Sequence, residues 1–128
     1  MALHNVAAGT STFDAVNLGQ LQASVNDAMS GAMGYTDARI AEVRFDLSDL
    51  RDDAFAGTAA AMALASIPQT VVAGKSMFGG SVGHYRGETA FGFGFSTTAA
   101  DGEVVMKLSG TIDTDGNGGV AAGAGFSF

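Results

Sequence analysis

A few short patterns in this sequence have the residue types that chemistry requires. Residues 79–83 read G-x-S-x-G, the pattern of a hydrolase nucleophile elbow, in which a serine lies on a sharp turn between a strand and a helix. That serine needs an acid and a histidine further along the chain, but the only later histidine is His84, three residues after Ser81. Because the sequence continues with strand character, we interpret the pattern as a coincidence within a glycine-rich strand.

Metal and phosphate sites are not predicted either. The opening of an EF-hand loop is matched by Asp113, Asp115, Asn117 and Gly118. Position twelve of that loop would be Ala124, where calcium needs a bidentate glutamate, so a polar hairpin turn is the better interpretation. The two histidines, His4 and His84, are too few for a metal site without matching carboxylates. We therefore expect no catalytic residue, no metal and no cofactor, and no enzyme activity.

Composition excludes further classes of function. The 128 residues include 13 acidic and 6 basic side chains, no cysteine, and a formal charge of -7. Nucleic-acid binding depends on Lys and Arg side chains that neutralise phosphates, and disulfide bonds need cysteine. A nucleic-acid-binding protein and a disulfide-stabilised scaffold are therefore both excluded. With 47% hydrophobic and 15% charged residues, the surface is poor in charge, which indicates a bilayer or a large interface.

Heptad spacing predicts a coiled coil in the first half of the chain. A strict 3-4 alternation of seam residues runs through Ile40, Val43, Leu47, Leu50, Ala54, Gly57, Ala61 and Leu64. An earlier seam, from Leu18 to Tyr35, is one residue out of phase. A stutter at residues 28–36 would join the two seams, but a two-helix hairpin that turns at Gly31 and Gly34 fits the spacing equally well.

The later seam becomes narrow before its last residue. Its side chains shrink to Ala54, Gly57 and Ala61 before Leu64 restores one large residue, so helices packed along this section can approach closely. The surrounding stretch is uncharged, but Pro68 interrupts it and most of its apolar content is alanine. We expect a buried helix here and not a membrane-spanning one.

After Gly74 the sequence period changes to two, which predicts four antiparallel strands. In the second strand, Phe91, Phe93 and Phe95 share one face, and the other face carries only Ala, Gly and Ser. The last strand repeats this arrangement, with one face made of Val120, Ala122, Ala124, Phe126 and Phe128 and the other of Gly119, Ala121, Gly123, Gly125 and Ser127. Minimal side chains along one face indicate that another element packs closely against it.

Four strands cannot close a barrel, and an open sheet with outward aromatic residues would aggregate through its edges. Closure therefore requires several copies of the chain. We expect the coiled coil to hold the copies together, the sheets to join edge to edge, and the alanine-rich helix to pass down a lumen lined by small residues.

Several ordered segments resemble one protein family. Residues 14–21, which read DAVNLGQL, are similar to the neck motif of trimeric autotransporter adhesins. The YadA-like C-terminal anchor of the same proteins is similar to four segments, namely residues 63–69, 74–77, 85–90 and 125–128. The resemblance covers nearly the whole chain. It corresponds to a neck at residues 1–22, a coiled-coil stalk at 23–53, a lumenal helix at 54–70 and a four-stranded anchor segment at 71–128.

The resemblance implies a homotrimer in a Gram-negative outer membrane, with the stalk exposed at the cell surface. Three chains would close a barrel of twelve strands with three helices in its lumen. By the same resemblance, the barrel anchors the adhesin and exports and displays its N-terminal passenger for adhesion, which is type V secretion. The implied partners are outer-membrane lipid, the outer-membrane insertion machinery and the chain's own passenger.

The patterns and the resemblance together assign expected roles to individual residues. Facing the lumen we expect Gly92, Gly94, Gly123 and Gly125, and the lumen-facing glycine of the family corresponds to Gly94. The residues expected to face lipid are Phe91, Phe93, Phe95 and Phe126. Packing between lumenal helices is expected at Ala54, Gly57, Ala61 and Leu64. The neck residues are Asp14, Val16, Asn17, Gln20 and Leu21.

Further expectations concern the two ends of the chain and the first hairpin. Phe128 continues the row that contains Phe126, and family members also end in such an aromatic, so the pair is expected to be the assembly signal. Tyr85 and Arg86 are expected at the level of the lipid headgroups. No basic segment after Met1 leads into an apolar stretch, so we expect no export signal there.

One alternative belongs to a different class of protein. In a soluble trimeric fibre module, similar to a segment of a phage tail fibre, the Phe rows would pack into a protein core. Such a module needs a second apolar layer opposite the Phe faces. This chain has only small-residue faces and the helix left for that layer, so the membrane interpretation is favoured.

Overall fold

The computed structural model describes residues 1–128, which divide into two units, residues 1–46 and residues 47–128. The elements are α1 (Leu18–Ser66), β1 (Ser76–Tyr85), β2 (Glu88–Thr98), β3 (Val104–Asp113) and β4 (Gly118–Phe126). The predicted order of one helical region and four strands is confirmed. No stretch of α1 is long and apolar enough to span a membrane.

The first unit begins with an irregular segment that leads into α1. The side chain of Asn17 accepts a hydrogen bond from the backbone N–H of Gln20 at 2.9 Å, and the side chain of Gln20 accepts one from the N–H of Asn17 at 3.3 Å. These two bonds form a capping box, in which the first free N–H groups of a helix are satisfied reciprocally. Asn17 and Gln20 therefore fix where α1 begins.

The helix continues without a break through Gly31 and Gly34, so the helical hairpin is excluded. Seam residues such as Leu21, Val25, Ile40 and Val43 are about half exposed because nothing in the chain covers them. An apolar helix stripe that its own chain leaves uncovered requires partner helices, as in a coiled coil.

The helix ends at Ser66, and Ile67 and Pro68 follow without helical structure. The proline ring disfavours the helical conformation of the residue before it, which gives the chain a defined exit from the helix. The helix thus ends a few residues earlier than residue 70, and a non-helical segment connects it to β1.

The second unit contains one antiparallel sheet in the order β1-β2-β3-β4. The register aligns Phe78, Phe95, Leu108 and Ala122 across the four strands, and the neighbouring row aligns Gly79, Gly94, Ser109 and Ala121. Large apolar side chains thus share one face, here called the outer face, and small or polar side chains share the other, the inner face. Residues 55–68 of the helix and the exit segment lie against the inner face.

The buried core of this unit is small and consists mostly of alanine. Ala56, Ala59, Ala63 and Ala90 are fully buried, and Ile67 is almost so. By contrast, the three Phe side chains of β2 on the outer face are about half exposed, and Phe78 and Phe126 are more exposed still. The chain therefore buries its smallest side chains and exposes its largest ones, the reverse of a soluble sheet protein.

Candidate functional site

The helix approaches β1 so closely that its backbone occupies the space of a side chain. A Cβ atom added at Gly83 would overlap the carbonyl oxygen of Ala59 and lie 2.8 Å from the backbone nitrogen of Ala63. Further along the same strand, a Cβ at Gly79 would lie 2.9 Å from the ring of Pro68. Glycine at these two positions allows the helix and its exit segment to lie directly on the strand.

The second strand makes a similar approach. A Cβ at Gly92 would lie 3.2 Å from the backbone of Ala63, and one at Gly94 would lie 3.0 Å from a methyl group of Ile67. The two glycines of β2 expected in the lumen are therefore on the inner face, Gly92 under the helix and Gly94 under the exit segment. The expectation missed that Gly79 and Gly83 of β1 are under at least equal constraint.

The G-x-S-x-G pattern takes on a structural meaning in this arrangement. Gly79, Ser81 and Gly83 alternate on the inner face, and the hydroxyl of Ser81 donates a hydrogen bond to the carbonyl oxygen of Ala63. The pattern is a packing stripe, with two glycines that admit the helix and one serine that bonds to it. Its period of two in a strand is the signal that would have revealed it.

The helix residues that touch the sheet are not those of the heptad seam. The buried residues are Ala56, Ala59 and Ala63, followed by Ile67 after the helix end. The seam residues Ala54, Gly57 and Ala61 are exposed, Leu64 is half-buried, and nothing lies within 4 Å of a Cβ added at Gly57. Two stripes of small side chains therefore lie on different sides of one helix, and only one of them is covered within the chain.

Polar side chains of β2 and β3 hold the helix end and its exit segment. The ammonium group of Lys107 donates to the carbonyl oxygen of Ile67 at 2.8 Å. The hydroxyl of Ser96 accepts from the N–H of Thr70 at 2.9 Å, and the hydroxyl of Thr98 donates to the carbonyl of Thr70 at 3.3 Å. These bonds satisfy backbone groups of Ile67 and Thr70, the two buried residues of this non-helical segment, which would otherwise be costly to bury.

The inner face of β4 is uncovered. All nine residues of this strand are exposed, and a Cβ added at Gly123 or Gly125 would meet nothing within 4 Å. These two glycines share the face of Gly92 and Gly94 by register, but nothing in the chain occupies the space that they leave.

The outer face carries a continuous apolar surface with no protein layer over it. Phe91, Phe93 and Phe95 of β2 are flanked by Val82 and Phe78 on one side and by Ile112 and Leu108 on the other. Phe126 on β4 is 77% exposed. Beyond the last strand, the Phe128 ring is fully exposed and its centroid lies 6.2 Å from that of Phe126.

Tyr85 does not face outward, contrary to the expected position at the lipid headgroups. It lies on the same face as Gly83, and its ring meets the ring of Phe55 edge to face at a centroid distance of 5.6 Å. The guanidinium group of Arg86 lies over the Phe55 ring at 5.2 Å. The expectation failed because it followed the rim position of the hairpin and not the alternation of side chains along β1.

Three of the residues expected in the neck, Asp14, Asn17 and Gln20, take part in polar contacts near the start of the helix. The amide group of Gln20 pairs with the backbone of Gly9, accepting from its N–H and donating to its carbonyl, both at 2.9 Å. The Asp14 carboxylate accepts from the N–H groups of Thr10 and Ser11, which holds the pKa of Asp14 below its ordinary value. Val16 and Leu21 are exposed in the single chain.

In the turn between β3 and β4, the side chain of Asp113 forms hydrogen bonds within the turn itself. The carboxylate of Asp113 accepts hydrogen bonds from the N–H groups of Asp115 at 3.1 Å and of Asn117 at 2.7 Å. The side chain of Asp113 thus closes a hairpin turn by accepting from the backbone of Asp115 and Asn117.

Comparison with known proteins connects both units to one family. Residues 3–43 match the family model described as the coiled stalk of trimeric autotransporter adhesin, and residues 68–128 match the YadA-like membrane anchor domain.

Curated relatives give the same result. The autotransporter adhesin EhaG of Escherichia coli O157:H7 is 36% identical over 126 residues, which cover 98% of this chain and 8% of that protein. The autotransporter adhesin NhhA of Neisseria meningitidis serogroup B is 29% identical over 124 residues, with 97% and 18% covered. The autotransporter adhesin BtaE of Brucella suis biovar 1 is 29% identical over 143 residues, with 100% and 19% covered. The chain thus spans less than a fifth of the length of these relatives.

Proposed function

This chain belongs to the trimeric autotransporter adhesins, and we propose that three copies of it close a membrane barrel that anchors the adhesin and exports its passenger. As a member of this family it is an outer-membrane protein with a surface-exposed stalk, and the family assembles as homotrimers. The proposal concerns how this particular sequence builds the anchor.

The exposed outer face is the observation that carries the proposal. Its large side chains have no second protein layer in the chain, and the helix and its exit segment cover the opposite face at β1 and β2. A contiguous apolar surface of this kind requires lipid or a large partner surface. An outward apolar band with small and polar residues inside is the pattern of a membrane barrel, so we assign Phe91, Phe93, Phe95 and Phe126 to the lipid contact.

The two edges of the sheet support closure by copies of the chain. β1 and β4 each pair on one side only. In a membrane every backbone polar group has to be satisfied, so an open edge is excluded there and the β1 edge of one copy pairs with the β4 edge of the next. Three sheets of four strands then give twelve strands.

The single chain leaves two stripes of small residues uncovered, one on the helix seam and one on the inner face of β4, and other copies cover both in such a trimer. The seam of Ala54, Gly57, Ala61 and Leu64 faces the other two helices in the lumen. The inner glycines Gly123 and Gly125 complete the lumen wall beside Gly92 and Gly94. The lumenal segment, residues 54–70, thereby fills the barrel formed by residues 71–128.

Assembly and display involve the two ends of the chain. We propose that Phe126 and Phe128 form the signal read by the outer-membrane insertion machinery, because their two exposed rings lie side by side at the end of the last strand. At the other end, Asp14, Val16, Asn17, Gln20 and Leu21 form the neck that joins the stalk to a passenger. The passenger, whose adhesion the relatives' names indicate, is exported through the barrel and displayed. We assign no enzymatic role.

Spin labelling tests which face meets lipid. The chain has no cysteine, so a single label can be placed at Phe93→Cys on the outer face and, in a second variant, at Ser109→Cys on the inner face. In liposomes, the label at 93 should be relaxed more strongly by oxygen, which concentrates in lipid, and the label at 109 more strongly by a water-soluble nickel complex. Equal relaxation by nickel at both sites, or a chain that stays soluble without detergent, would favour the soluble fibre module instead.

A further inference from the structure

The turn between β1 and β2 contains an unusual residue. The turn consists of Arg86 and Gly87, whose φ angles are +49° and +100°. Two-residue hairpin turns with positive φ at both positions favour asparagine, aspartate or glycine at the first position. A long side chain in this conformation is uncommon, and such outliers persist where the surroundings make use of them. The side chain of Arg86 is therefore a candidate for a specific role.

The role is indicated by what the side chain touches. Its guanidinium carbon lies 5.2 Å from the ring centroid of Phe55 and 5.6 Å from that of Tyr85, both within the range of a cation–π contact. The two rings also contact each other edge to face. Neither of the chain's two ion pairs, Arg39–Glu42 and Arg51–Asp52, includes Arg86. Its charge is thus directed at the two rings.

The three side chains connect the hairpin to one specific turn of the helix. Phe55 belongs to α1, and Tyr85 packs against the alanine cluster of Ala59, Ala63 and Ala90. The polar contacts that the helix and its exit segment make with the sheet lie further along the chain, at Ala63 and at Ile67. The Arg86 cluster is therefore the side-chain contact that holds the helix turn around residue 55.

We propose that Arg86 is a positioning residue that seats the helix turn around Phe55 on the β1–β2 hairpin and so keeps the barrel closed after export. The inference rests on the proposed function, because only a barrel with helices in its lumen has a pore to close. With the seat intact, the helix fills the lumen along its whole length. When it is lost, the helix turn around Phe55 moves more freely and the pore opens more often.

The variant Arg86→Asn separates this role from that of the turn. Asparagine suits the left-handed position better than arginine, so the hairpin itself should be no less stable. The cation–π contact is nevertheless lost. The open fraction of trimers in a planar bilayer should rise about two- to fivefold, which corresponds to a partly exposed contact of about 0.5–1 kcal/mol. Arg86→Lys keeps a cation and should restore part of the closed state.

A matched control exists in the stalk. Arg39 lies over the ring of Tyr35 at 5.3 Å, so Arg39→Asn removes the same kind of contact from the first unit. This variant should leave the open fraction unchanged. Phe55→Leu, which removes the ring, should open the pore as Arg86→Asn does, and combining the two should add little because both remove one contact.

A spin label at Asp53→Cys reports the seating directly, since the chain has no other cysteine. The label should be more mobile with Arg86→Asn and unchanged with Arg39→Asn. Heat-resistant Arg86→Asn trimers with the conductance and label mobility of the unsubstituted chain would overturn this inference alone. A chain that forms no trimer would contradict the proposed function and this inference together.

Discussion

The inner faces of β2 and β4 are built from the same kinds of residues but lie in different surroundings. On β2, a Cβ added at Gly92 would lie 3.2 Å from the backbone of Ala63 in the helix, and one added at Gly94 would lie 3.0 Å from Ile67 in the exit segment. On β4, Gly123 and Gly125 have open space around them. Both stripes are small, but only one has its partner within the chain.

The difference shows that a single chain covers only part of the inner face of its sheet with its own residues. Where a neighbour in the same chain occupies the space beside a small residue, the size of that residue is restricted within the single chain. Residues whose smallness has no such explanation indicate a neighbour from another copy. This interpretation separates the contribution of folding from that of trimerisation, and substitutions on the two stripes can test it.

The largest effect is expected at Gly83, where the helix backbone leaves no space for a side chain. Gly83→Leu has to displace the helix, and overpacking a filled site costs about 1–3 kcal/mol or more in each of three copies. We expect loss of the heat-resistant trimer on denaturing gels. Gly80→Leu, on the outer face of the same strand, is the matched control, because a Cβ there meets only a carbonyl oxygen of Gly92 at 3.7 Å. Equal loss in both variants would contradict the assignment of the two faces.

The next effect is expected at Gly94, where a substitution meets the end of a side chain. Gly94→Phe should lower trimer stability by about 1–3 kcal/mol per copy, since the Ile67 methyl group lies 3.0 Å from the added Cβ. Gly94→Ala should leave the trimer intact but reduce surface display, because the lumen has to hold a passing chain as well.

Phe93→Leu, on the outer face, is the control for both Gly94 variants and should have little effect on either readout. Surface display and heat-resistant trimer are compared at matched expression. If Phe93→Leu proved damaging and Gly94→Phe harmless, the lumen assignment would be reversed.

A third prediction addresses β4. Gly123→Leu meets nothing within its own chain, so any loss of trimer that it causes has to come from contact with another copy. If another copy's helix covers this face in the trimer, the yield of trimer should fall. The matched control is Ala122→Leu, on the outer face of β4. Gly116→Leu in the preceding turn cannot serve, because the positive φ of Gly116 would strain a leucine. Unchanged trimer yield for Gly123→Leu would show that the face stays open.

The sequence allowed the four strands, the alternation of β2 and β4 and the apolar seam from Ile40 to Leu64 to be predicted, because each follows from a period of two or of seven residues. It left open whether the helix continues through Gly31 and Gly34, because a hairpin fitted the spacing equally well. It did not reveal the helix stripe of Ala56, Ala59 and Ala63, since alanine carries too weak an apolar signal to stand out beside a seam that contains leucine. It also missed the roles of Ser81 and Lys107. Their hydrogen bonds join residues far apart in the chain, and no local pattern encodes such a distance.

The smallest effect is expected in the neck. The pKa of Asp14 is lowered by hydrogen bonds from the N–H groups of Thr10 and Ser11, so its stabilising contribution is present above the ordinary value of 3.8 and is lost as the pH falls through the lower folded value. Proteolysis of residues 1–17 should therefore accelerate only in strong acid. Asp14→Asn should show some of this acceleration already at pH 7, and Asp27→Asn, on the helix surface, should not. An identical pH profile for all three proteins would contradict the role of this carboxylate.

The central claim is that lipid covers one face of the sheet and that copies of the same chain complete the other. The most direct measurement is the protein mass of the folded particle in detergent, by sedimentation with the detergent contribution matched out. The account predicts three chains of 12.8 kDa each, which separate on heating in denaturant. A folded particle that contains a single chain, with its strands intact, would contradict it.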